Sequence, residues 1–167
     1  MKTASKESWD KKMTRSKEFW KKVFVLTIAG GAAFWVTNFA ISLTPIAAEY
    51  RAALSISYFP MLLESLIGGL IIGSCVSYFL VCFFDKIPTK NPIIKSVILS
   101  FIVLIIVTML IEVPAKFLSV TSDALRYFLI GTTFNILRIL ALGIVIGGLY
   151  DKLDRNRSSS MLTGAAK

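Results

Sequence analysis

Polar and apolar residues fall in long blocks along this chain. A polar, basic stretch over 1–22 gives way to an apolar run at about 23–43, and further apolar runs follow at about 61–84, 96–113 and 127–149. At about 1.5 Å of rise per residue, a run of roughly twenty crosses the ~30 Å hydrocarbon core of a bilayer. The pattern therefore predicts an all-α membrane protein, with four transmembrane helices in an antiparallel bundle over 23–150. A basic amphipathic segment over 1–22 precedes the bundle, and a Ser-rich tail over 151–167, expected to be disordered, follows it. Prolines mark the boundaries: Pro45 stops the first helix, Pro60 opens the second and Pro114 ends the third. Ile46, Tyr50, Ala53, Leu54 and Tyr58 keep a rough helical stripe between the first two runs, which predicts a short surface helix there.

The first block has two readings. Trp9, Met13 and Trp20 recur at helical spacing among lysines. This fits a helix lying on an anionic leaflet, with Trp9, Trp20, Lys21 and Lys22 at headgroup level. It also fits a solvated lead-in to the first span. The basic region is too long for a secretory signal, and the apolar run behind it is long enough to span.

Composition supports the membrane reading and adds an orientation. The chain has 167 residues, 55% of them hydrophobic, and a net charge of +9; its mean hydropathy is +0.70. The positive charge flanks the apolar runs, so lipid attraction accounts for it better than nucleic acid does. Fifteen Lys and Arg lie on the side of the termini and of the 85–95 loop, against Arg51, Lys116 and Arg126 on the other. The positive-inside rule then places both termini in the cytoplasm, in a multi-pass protein of the cell membrane. Anionic lipids at the cytoplasmic face are the expected partners.

Candidate chemistry is sparse. There is no histidine, which excludes imidazole metal ligands and Ser-His or Cys-His catalytic pairs. Cys75 and Cys82 sit about 10 Å apart along one helix, too far for a disulfide, and read as small packing residues. No HExxH or GxSxG signature is present. No enzyme, metal site or cofactor is expected.

Small residues are patterned. Ser65, Gly69, Gly73 and Ser77 form a seam at every fourth position, and Gly143 and Gly147 lie a turn apart on the fourth run. In lipid such positions let helix backbones approach, within the chain, between copies or with a partner membrane protein. The third run is bulky and β-branched, without a comparable seam, and should be the most lipid-exposed. The segments FFDKI (83–87) and LYDKL (149–153) end alternate runs, and Lys22 and Lys95 open the two helix pairs. This reads either as a duplication of a two-helix unit or as two ordinary membrane boundaries.

The fourth run carries the unusual feature. Arg138 lies eleven residues after Tyr127, roughly 16 Å into the helix. Asn135 and Gly131 share its face. A charge at that depth must face protein or water, because lipid exposure costs at least ~2.5 kcal/mol. Asn38 on the first run is expected to hydrogen-bond another helix. The counter-charges are Glu64 and Glu112; Glu112 suits Arg138 by direction and Glu64 by depth, and neither is chosen. These residues predict a small transporter or channel subunit, moving an ion or small charged solute through an outward-facing polar vestibule. The alternative is an accessory or assembly subunit of a larger membrane complex, in which Arg138 only locks the fold.

Overall fold

The computed structural model describes residues 2–114 and 123–164, with side chains described over 16–156 apart from Asp85, Glu112 and residues 115–122. Among the described residues the chain is all-helical. The helices are α1 (Lys2–Ser42), α2 (Pro45–Ala53), α3 (Tyr58–Phe83), α4 (Pro92–Val107) and α5 (Ala124–Gly164). A 3₁₀ turn, Phe84–Lys86, follows α3, and a π-helical turn, Thr108–Glu112, continues α4. Four of these helices are long and apolar enough to cross a membrane, the architecture of a multi-pass helical membrane protein.

Local chemistry sets the ends. Thr44 accepts a hydrogen bond from the Ala47 amide and Pro45 occupies the first turn, so α2 starts at once after α1 stops. Asn91 does the same for α4, accepting from the Ile93 amide at 2.9 Å ahead of Pro92. Ser55, at φ 53°, turns the chain between α2 and α3.

The helices bear on two expectations about the ends. Residues 2–22 lead straight into the first span, the second of the two readings: α1 runs unbroken through them, since neither Gly nor Pro interrupts the sequence before Gly30. Residues 151–164 are helical rather than disordered, continuing α5, with Arg155 paired to Asp151 at 2.6 Å one turn along. The spans also start earlier than expected, at Tyr58 and Pro92, because a proline in the first turn costs no intrahelical bond.

The helices form a ring in the order α1, α3, α4, α5, with the α3–α4 seam the least extensive. Glycines set the close approaches. A Cβ on Gly73 would lie 3.1 Å from the Thr27 carbonyl of α1, and one on Gly147 would lie 2.5 Å from Cα of Ile93 on α4. Gly69 meets Phe34, and Gly143 meets Val97 and Ser100. Ser77 is buried and Ser65 half-buried on the same face of α3. The third span is the least buried of the four, as expected, although Ser96 and Ser100 of α4 are fully buried and Gly143 packs against Ser100. Cys75 and Cys82 are exposed on α3 rather than packed within the bundle, because they fall on the face opposite the seam.

The bundle has two unlike halves. At one end Leu26, Val76, Leu80, Leu142 and Ile146 are fully buried. Beyond them four side chains stack. Lys95 lies 3.7 Å over the Phe84 ring and donates to the Phe84 carbonyl; Phe84 stacks on Tyr150 at 4.6 Å; Lys22 lies 3.7 Å over the far face of Tyr150 and pairs with Asp154 at 3.2 Å. This basic end ties together α1, α4, α5 and the turn after α3. Val76, Leu80 and Phe84 recur in place as Leu142, Ile146 and Tyr150, and each lysine covers the ring of the other hairpin. The two hairpins, α1–α3 and α4–α5, thus meet in a nearly symmetric way. Outside, Phe24, Ile71, Ile102, Ile105 and Ile144 are exposed; a surface of this kind belongs in lipid.

Candidate functional site

At the other end the bundle is hollow. A cavity of about 240 Å³ lies under α2, with Ala47, Tyr50 and Arg51 as its roof. A second lobe of about 220 Å³ lies beside it, between α3 and α4. Asn38, Met61, Glu64, Asn135 and Arg138 line both, so the lobes share one polar wall.

Each wall residue is placed by its helix. Arg138 donates to Asn135 Oδ1 at 2.9 Å, one turn earlier on α5, and its guanidinium lies 5.9 Å from the Phe34 ring of α1. Gly131 is buried another turn along and leaves room above Asn135. The roof is held from both sides. Arg51 donates to the Ser42 carbonyl at 3.0 Å and Arg126 pairs with Glu49 at 2.7 Å, while Tyr50 packs edge-on against Tyr127 and Phe134. Trp35 pins α1 to α3 by donating to the Leu62 carbonyl at 3.1 Å.

Asn38 departs from expectation. It is 1% exposed, and its Nδ2 has no hydrogen-bond partner among the described residues. The residue lines both lobes, but Nδ2 itself is closed off from them and bonds no neighbouring helix among the described residues. A buried donor left unmatched costs about 1–3 kcal/mol.

Of the two glutamates, Glu64 shares the cavity with Arg138, is exposed and forms no ion pair among the described residues. The Glu112 side chain lies outside the described residues; its backbone sits in the π-helical turn. The charged side chains described in the lining are Arg51, Arg138 and Glu64. Of the surface candidates, Trp9 lies outside the described side chains. Trp20 and Lys21 are exposed, and Trp20 packs beside Phe19 and Tyr78. Lys22 is held in the stack at the basic end. Among the described residues no three His, Cys, Asp or Glu side chains gather as metal ligands.

Sequence reasoning missed the roof. Tyr50 and Arg51 carry no signal of depth, because a short helix between spans reads as surface whichever way it folds. Comparison with known protein families, with characterised proteins and with solved structures finds no match for this chain.

Proposed function

We propose that this protein holds a small anion in a membrane vestibule, with both termini cytoplasmic and the cavity opening to the outside, as a small transporter or channel subunit. The observation that carries the reading is the cavity whose two lobes share Asn38, Glu64, Asn135 and Arg138, with Arg138 donating to Asn135 Oδ1 in that wall. The guanidiniums of Arg51 and Arg138 in the lining support an anion. The orientation rests on the excess of Lys and Arg at the basic end. At that end Trp20 and Lys21 meet anionic headgroups. The reading includes no catalytic step, metal, cofactor or nucleic acid.

The test is flux of chloride and of phosphate into liposomes holding the purified chain. Anion-dependent uptake is expected, lost in Arg138→Leu; uptake that survives this change sinks the vestibule as the route.

One observation favours a second reading. The basic half is packed solid, so a single chain in this state has no passage through it. As a non-catalytic accessory subunit the chain would need none, and a mild-detergent pull-down would then recover a stoichiometric membrane partner. A functional homo-oligomer without such a partner decides against it.

A further inference from the structure

The two lobes differ in character. The lobe under α2 adds Tyr50 and Arg51 to the shared polar wall, while the lobe at the α3–α4 seam adds Phe34, Gly68, Ile72, Leu104, Val107 and Ile139. This apolar lobe adjoins Arg138 and Asn38 directly, and its outer walls are the helices that meet least. A free inorganic anion would use the first lobe and leave the second without an occupant. We infer that the vestibule takes an anionic amphiphile, its charged head at Arg138 and Asn135 and its hydrocarbon chain in the α3–α4 lobe. The inference rests on the anion-binding reading of the same site and goes further by naming the ligand class.

The chemistry of each part fits. The guanidinium and the Asn135 amide supply donors to phosphate or carboxylate oxygens. The apolar wall accepts methylene groups, and a chain longer than the lobe runs out through the seam among lipid tails. Glu64, on the shared wall, disfavours a second negative charge on the head, so a singly charged head fits better than a doubly charged one. Gly68 gives a handle for the test. A Cβ there meets nothing within 4 Å, so a side chain can be added without displacing a helix.

The experiment is native mass spectrometry of the full chain released from a neutral maltoside detergent, titrated with inorganic phosphate, butyl phosphate, octyl phosphate and dodecyl phosphate. Affinity is expected to climb with chain length, by about tenfold or more from butyl to dodecyl phosphate, with one ligand per chain. Gly68→Phe fills the lobe and should bring dodecyl phosphate down to the butyl phosphate level while leaving butyl phosphate unchanged. Val107→Trp fills the lobe from α4 and should do the same. Arg138→Gln should lose both ligands. If inorganic phosphate binds as well as dodecyl phosphate, the site serves a free anion; the inference falls and the vestibule stands. If both lobe-filling variants bind dodecyl phosphate like the parent chain, the hydrocarbon lies elsewhere and the inference again falls. If none of the four probes binds, the anion-binding reading falls with it.

Discussion

Asn38 is almost wholly buried with an unmatched donor, and such a donor lowers stability. Replacing it with leucine, close to it in size, removes the unmatched group. The thermal midpoint of Asn38→Leu should equal or exceed that of the parent chain; a lowered midpoint would show that the amide is matched after all. Phe84 makes the opposite case. Its ring carries Lys95 on one face and Tyr150 on the other, so Phe84→Leu should cost about 1–3 kcal/mol in thermal unfolding. Phe84→Tyr, which keeps the ring, should cost much less.

Glycines decide which helices touch, and two neighbours on α5 show the rule. A side chain on Gly147 meets the backbone of Ile93 and Pro92, which cannot swing aside, whereas one on Gly148 meets nothing within 4 Å. Gly147→Val should therefore lower stability by about 1–3 kcal/mol or more, and Gly148→Ala should hold or raise it by up to ~1 kcal/mol. Parallel thermal melts in one detergent check both. This kind of packing is partly legible from sequence, because a small residue at every fourth position stands out in an apolar run. Ser96 and Ser100 were not legible: isolated serines among isoleucines give no contrast, yet both are fully buried and Gly143 of α5 packs on Ser100. The cysteines misled for a related reason. Small polarizable residues suit either side of a membrane helix, and only the seam on the far face of α3 settles theirs. The helical tail escaped notice because its composition suggests a flexible segment while its Asp-Arg spacing supports a helix.

The hydrophobic blocks made the four spans and Arg138 readable in advance; the hollow and solid halves were not, because they depend on which residues meet across helices. In a Cys-free chain, a thiol at Ser57 should react with a non-permeating reagent on whole cells and one at Asn156 should not; the reverse pattern would turn the molecule over. The division also limits how such a molecule could move a solute. Leu26, Val76, Leu80, Leu142, Ile146 and the four-layer stack close the basic end, so passage through one chain requires the two hairpins to part there. Val25 of α1 and Leu153 of α5 line one groove of about 230 Å³ at that end. Thiols at these two positions, joined by a short bis-maleimide, would hold the hairpins together without touching the cavity. If the chain itself is the conduit, the bridge should stop anion flux in liposomes and leave anion binding intact, and the unbridged double variant should keep both. Flux that continues through a bridged bundle would place the path between copies of the chain, because a closed end that need not open is then no barrier to it.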